Sequence, residues 1–220
     1  LKRRDLLARQ LEQLDIPVTA EALDQLLWFL DELLRWNRRI NLTAIVDPVE
    51  GIEKHLVDSL TLFPVLAGQE RLLDIGSGGG FPSIPLKIVL GELQAVSMDA
   101  SQKKIAFQRH IIRELGIRGF EAVHGRAEQL KKQGAYVGAF EAVVSRAFSS
   151  LAFFAGLALP YLSPRGRIIA MKGAKGEEEM QKALQQLNGM GLVCSKVHNL
   201  RLPGSGAERT LIVLRRLEKL

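Results

Sequence analysis

The chain has one cysteine in 220 residues, Cys194. A lone thiol closes no internal disulfide and leaves no cysteine cluster for zinc, so no metal site is expected. No run of eighteen apolar residues occurs, so no membrane-spanning helix is expected. The opening segment, LKRRDLLARQLEQL, is basic and then amphipathic, without the continuous apolar centre of a secretory signal. Internal repeats and low-complexity tracts are missing too. Together these absences suggest a reducing cytoplasm. Acidic residues are in deficit, 24 Asp+Glu against 30 Lys+Arg, giving a formal charge of +6. An acidic partner fits that excess, with nucleic acid the first candidate. A basic surface that only keeps the protein soluble fits it as well. The length allows one domain with a sizeable core plus an appendage.

Glycine, by contrast, is concentrated in one place. The stretch RLLDIGSGGGFPSIPL, Arg71 to Leu86, reads as a buried strand, a sharp turn and a helix start. Gly76, Gly78, Gly79 and Gly80 leave no Cβ where the backbone must bend and approach a ligand. Pro82 and Pro85 suit a first helical turn. Free N–H groups in such a turn are expected to form a polar cradle. The dinucleotide fingerprint would want a third glycine at 81, where Phe81 stands. The spacing Asp74-x-Gly76-x-Gly78-x-Gly80 looks like the first motif of the S-adenosylmethionine-dependent methyltransferases. A tight turn with no ligand is the bland alternative.

The flanking pattern sets the fold class. Residues 1 to 16 and 20 to 38 read as amphipathic helices, the second capped by Thr19. Asp47-Pro48 starts another, carrying His55 and Asp58. Residues 1–66 are expected as an N-terminal helical appendage and 67–220 as the main domain. Strands are expected at 71–75, 93–98, 120–123, 140–145, 167–172, 192–199 and 209–215. Helices are expected between the earlier ones, at about 81–90, 101–115 (capped by Ser101), 126–132, 151–159 and 175–188. The turn at Gly204 is too short for a helical crossover, so the last two strands should be antiparallel. The whole implies an α/β, Rossmann-like, three-layer sandwich around a mostly parallel seven-stranded sheet.

Three constellations follow strand ends. Asp99 ends the second strand, where an acid can accept hydrogen bonds from both ribose hydroxyls of a nucleoside. It can equally cap the next helix with Ser101; Ala100 lies between them. Arg126-Ala127-Glu128 follows the third strand. In the methyltransferase fold this place lies over the adenine ring, where Ala127 admits the ring and Glu128 meets its exocyclic edge. An exposed helix start with Glu near its positive end is the alternative. Arg146 follows the fourth strand, as an anion or base contact or as a structural ion pair. The Asn- or Asp-Pro-Pro-aromatic motif of exocyclic-amine methyltransferases is missing here, and Cys194 lies too late to be a cytosine-C5 nucleophile. His55 is tempting as a general base, but a packed or surface histidine paired with Asp58 explains it too.

Taken in order, Asn37 with Asn41-Leu-Thr43, His55-x-x-Asp58-Ser59, Asp74-Ile-Gly-Ser-Gly-Gly-Gly-Phe-Pro-Ser-Ile-Pro-Leu, Arg126-Ala-Glu128, Ser145-Arg-Ala147 and Lys172-Gly173 resemble one family over nearly the whole chain. It is the bacterial glucose-inhibited division protein B family, the 16S ribosomal RNA guanine-N7 methyltransferases. Ser83 departs from the glycine usual in that family. The resemblance implies S-adenosyl-L-methionine as cofactor and contacts to it at Gly76, Phe81, Asp99, Ala100, Ser101, Ala127, Glu128 and Arg146, with Gly78 from the glycine turn. It implies 16S ribosomal RNA or the small subunit as partner.

Guanine N7 has an in-plane lone pair and loses no proton on methylation. Neither a general base nor a covalent nucleophile is then needed, which suits a chain offering neither. Arg146 is the one residue assigned near the chemistry. Arg38, Asn41, Lys172, Lys175 and Arg201 are expected to meet RNA at the crevice mouth. A monomer is the expected state. A methyltransferase acting on a small molecule or a protein is the second reading. A nucleotide-dependent oxidoreductase or a nucleoside sensor is the third.

Overall fold

The computed structural model describes residues 2–130, 134–146, 148 and 150–217. Strands β1 Arg71–Ile75, β2 Gln94–Asp99, β3 Phe120–His124, β4 Phe140–Ser145, β5 Leu162–Lys172, β6 Leu192–Arg201 and β7 Glu208–Arg216 form one sheet. Their spatial order is β3-β2-β1-β4-β5-β7-β6. The first five are mutually parallel, and β7 runs antiparallel to β5 and β6. The short turn at Gly204 thus joins an antiparallel pair, as its length demands.

The helices are α1 Arg3–Glu12, α2 Ala20–Asn37, α3 Pro48–Gly51, α4 Asp58–Leu60, α5 Ser83–Val89, α6 Gln102–Glu114, α7 Ala127–Leu130, α8 Leu151–Ala158 and α9 Gly176–Gly189. A π-helical turn, Ile52–Val57, joins α3 to α4. The Thr19 hydroxyl accepts from Ala22 N and the Asp47 carboxylate from Glu50 N, so both expected caps are present. Some boundaries differ from the sequence reading. α1 ends at Glu12, because Asp15 adopts a φ of 54° ahead of Pro17. α5 starts at Ser83 because the Gly80 and Phe81 amides fold back onto Ser77 O. β5 begins at Leu162, across a register shift against β4. The expected continuation of the helix after Arg126 to Lys132 lies outside the described residues.

Alternation along the strands divides the core in two. Leu72, Ala95, Ala142, Val144, Ile169 and Val213 face one side. There they meet Leu7, Leu11, Leu26, Phe29, Leu30 and Leu33 of α1 and α2, with Phe107 and Ile111 of α6. Leu73, Val96, Met98, Val143, Ile168 and Ile212 face the other side, against Phe154, Met180 and Leu187 of α8 and α9. The N-terminal helices therefore complete a layer of the sandwich. Each fully buried leucine there stabilises by about 1.5–3 kcal/mol. Glu53, buried in the π turn, adds a polar pin, its carboxylate accepting from Gly204 N at 2.5 Å and Ser205 N at 2.8 Å. No helix among the described residues is long and apolar enough to cross a membrane.

Alternation also buries Asp74 completely on the N-terminal side of β1. Its Oδ2 accepts from Ser83 N at 3.2 Å. Its Oδ1 and the Ser83 hydroxyl meet no partner of full hydrogen-bond geometry. Burial pushes this carboxyl up to about 7, against the opposing pull of Ser83 and Arg146. An acid whose folded pKa lies above its unfolded value stabilises the fold while it holds its proton. That contribution is complete below 3.8 and is lost as pH rises through about 7.

Two measurements test this account. Phe29→Ala, which deletes a ring 5.0 Å from Phe81 and 6.1 Å from Phe107, should cost about 3–5 kcal/mol in urea unfolding. Asp74→Asn should remove the decline in unfolding free energy between pH 4 and 7, and its advantage over wild type should grow across that window.

Candidate functional site

β1 leads to β2 on one side, while β4 lies on its other side, so a crevice opens beyond their carboxyl ends. The Ser145 hydroxyl donates to Ile75 O at 2.7 Å and pins the two strand ends together. Gly76, Gly78 and Gly80 all have positive φ, 77°, 57° and 94°. A side chain at 80 would be strained and would run into Ile84.

The turn's amides are not a free cradle, contrary to the sequence expectation. Gly76 N and Ser77 N both donate to Met98 O at 2.9 Å, and Gly80 N and Phe81 N donate to Ser77 O. Gly78 N donates to Asp99 Oδ2 at 2.9 Å. Gln108, fully buried on α6, adds a brace the sequence reading missed. Its Nε2 donates to Ser77 Oγ and to Gly78 O, both at 2.8 Å, and its Oε1 accepts from Ser97 Oγ. The available signal was a glutamine inside the apolar stripe from Ile105 to Ile111.

Asp99 joins the glycine turn to the chain that enters α6. Oδ1 accepts from Ser101 N at 2.8 Å, and Oδ2 holds the turn. Each oxygen keeps further lone-pair capacity for a ligand hydroxyl. The Ser101 hydroxyl makes no capping bond, contrary to expectation, and Asp99 reaches only the amide of Ser101 itself, ahead of α6.

Beside Asp99 lies a hollow of about 180 Å³. Of the expected cofactor residues, Gly76, Asp99, Ala100, Ala127 and Glu128 line it. Met98, Phe148 and Leu157, none of them assigned from sequence, supply apolar walls. Tyr161 Oη donates to Ala127 O and fixes that small residue. Apolar walls, an unsubstituted Cα at Gly76 and an acid in the lining can accommodate a flat ring joined to a sugar. Gly78 and Ser101 sit behind Asp99 as its hydrogen-bond donors. Phe81 is buried, packed 5.0 Å from Phe29, and does not line the hollow.

Arg146, also expected at the cofactor, does not line the hollow; its guanidinium lies 5.2 Å above the Phe81 ring. Nη1 donates to Lys54 O at 3.0 Å and to Asp58 Oδ2 at 3.3 Å, and Nη2 donates to His55 Nδ1 at 3.5 Å. Asp58 Oδ1 accepts from Arg209 Nε at 2.5 Å. His55 and Asp58 thus meet through Arg146 and do not pair with each other as the sequence suggested. Burial, then the Arg146 charge, depresses the His55 pKa to about 3. The imidazole is neutral and already hydrogen-bonded at both nitrogens, the second to Thr43 Oγ1 at 2.9 Å. It is no general base.

The expected RNA contacts divide. Arg38, Asn41 and Lys175 are exposed, and Arg201 is exposed while paired with Glu208 at 2.7 Å. Lys172 turns inward instead. Its ammonium donates to Phe148 O at 2.8 Å and to Glu179 at 2.9 Å, bracing the loop after β4. That replaces the outward contact expected of it.

A family model described as GidB, rRNA small subunit methyltransferase G, matches residues 22–211. The protein of Syntrophotalea carbinolica named Ribosomal RNA small subunit methyltransferase G is 49% identical over 213 residues, 97% of this chain and 96% of that one. Its namesake in Clostridium novyi is 33% identical over 216 residues, 97% of this chain and 89% of its own length. Among solved structures, M. jannaschii TYW2 in complex with AdoMet superposes with a TM-score of 0.60 at 12% identity, over 81% of this chain and 80% of that chain. This last likeness shows a shared fold and nothing more. The family match and the near full-length relatives go further: the chain belongs to the GidB family of small-subunit ribosomal RNA methyltransferases.

Proposed function

We propose that this chain transfers the methyl group of S-adenosylmethionine to N7 of a guanine in 16S ribosomal RNA. The observation that carries the reading is the hollow at the end of β2, with Asp99 at its rim and the glycine turn beside it. When bound, the cofactor supplies a methyl group made electrophilic by its sulfonium. The chain's residues need only bind, orient and exclude water.

Asp99 would accept the ribose hydroxyls. Ala127, Met98, Phe148 and Leu157 would enclose the adenine, and Glu128 would take its exocyclic amine. Gly76 lets the cofactor approach the backbone, while Gly78, Ser101 and Ala100 keep the Asp99 carboxylate in place. Three of the five Arg146 donors are engaged by Lys54, Asp58 and His55. The other two are suited to the carboxylate of the cofactor's amino-acid end. Phe81 supports that guanidinium from below. The reacting guanine gains positive charge as it is methylated, so a cation serves better at the cofactor than at the base.

Lys175 and Arg201 lie at the carboxyl ends of β5 and β6, and Arg38 and Asn41 lie between α2 and α3. They supply phosphate contacts that position RNA without reading its sequence. On this reading the enzyme works as a monomer in the cytoplasm.

Methyl transfer from labelled cofactor to small-subunit RNA, mapped by borohydride–aniline cleavage, should give one N7-methylated guanine. Label on protein or on a small molecule instead would refute the assignment. Asp99→Asn should weaken cofactor binding by about tenfold in calorimetry. RNA binding should weaken steeply between 50 and 200 mM salt, as roughly 0.9 counterions leave per phosphate contacted; a flat salt response would count against an RNA substrate.

A further inference from the structure

Residues 52–57 depart from the α-helical ladder. In an ordinary helix the Asp58 N–H would meet Lys54 O, four residues back. Here it goes to Glu53 O, five residues back, and to His55 O. Lys54 O loses its usual partner, and Arg146 Nη1 donates to it at 3.0 Å. The same stretch turns His55 and Asp58 toward that guanidinium. One π turn therefore offers a carbonyl, an imidazole and a carboxylate to a single cation.

Each acceptor is itself held. The His55 ring stacks on Phe81 with centroids 4.6 Å apart. Its far nitrogen lies on Thr43, whose N–H and carbonyl are both bound by the Asn37 amide. Asp58 is gripped on its other oxygen by Arg209. An arginine with four rotatable bonds would otherwise sample many rotamers in an open crevice, and ordering it would oppose ligand binding.

We propose that His55 and Asp58 are positioning residues for methyl transfer: with the Lys54 carbonyl they fix the Arg146 guanidinium before the cofactor arrives. The inference rests on the reading that Arg146 serves the cofactor, and the two are separable by experiment. S-adenosylhomocysteine carries the same adenosyl and carboxylate groups, so its affinity is the readout. It is titrated calorimetrically into wild type, Asp58→Asn, Arg146→Ala and the double variant.

Asp58→Asn should weaken binding about tenfold in the wild-type background and less than about twofold in the Arg146→Ala background. An equal loss in both backgrounds would mean that Asp58 acts on the fold alone, and would overturn the inference. Wild-type affinity in Arg146→Ala would overturn the reading of Arg146 and the inference with it. Should Asp58→Asn fail to fold by circular dichroism, a second pair carries the test. His55→Asn sets an amide oxygen where Nδ1 stood, whereas His55→Leu removes the acceptor. The asparagine variant should retain several-fold more affinity than the leucine variant; equal affinities at matched melting temperatures would overturn the inference.

Discussion

The turn after β1 keeps its shape because its amides close on the end of β2. Met98 O takes two of them, and Asp99 takes the third. A loop with positive φ at three glycines would be costly to order if left to itself. Here the neighbouring strand end orders it, and Gln108 ties it down from α6. The residue proposed to hold the cofactor sugar is therefore also the residue that shapes the floor beneath it. Binding and architecture share one carboxylate. Loss of that group reaches both, whatever replaces its side chain.

Much of this could be read from the chain, for physical reasons. Glycines at alternate positions after an apolar strand mark left-handed backbone, which other residues resist. Strands buried on both faces read as apolar runs, and Thr19 and Asp47 announce helix starts by chemistry that needs no tertiary context. What escaped depended on distant partners. Lys172 looked outward because a lysine at a strand end usually meets water. Only the turn into α9 brings Glu179 within reach of it. Phe148 and Leu157 carry no site signal in the sequence; the chain after β4 and α8 bring them to the hollow that Asp99 lines. The π turn has no residue signature at all, so the sequence pairs His55 with Asp58 and leaves Arg146 apart from both.

The two sides of the sheet contribute differently to the crevice. The α8–α9 side supplies apolar wall and the Lys172–Glu179 brace behind it. The N-terminal side supplies polarity, through neutral His55, Asp58 between two arginines, and the Asn37-anchored loop. Asp74 belongs to that side as well, buried and biased toward its protonated form by the same low-dielectric surroundings. The two flanks of the crevice therefore differ, one mostly apolar and one polar, and the sheet keeps them apart.

The Glu53 pin has a bearing on how the protein is made. Its partners, Gly204 and Ser205, lie about 150 positions further along the chain. Leu7 and Leu11 share their apolar cluster with Leu202, Leu211 and Val213. Contacts of such high sequence separation form slowly, since the intervening loop must close before anything is gained. The first helices find Leu72, Phe107 and Ile111 as soon as β1 and α6 exist, but the part of their cluster that holds Leu202, Leu211 and Val213 closes only once β6 and β7 are made. The Glu53 pin is thus among the last contacts that the chain can form.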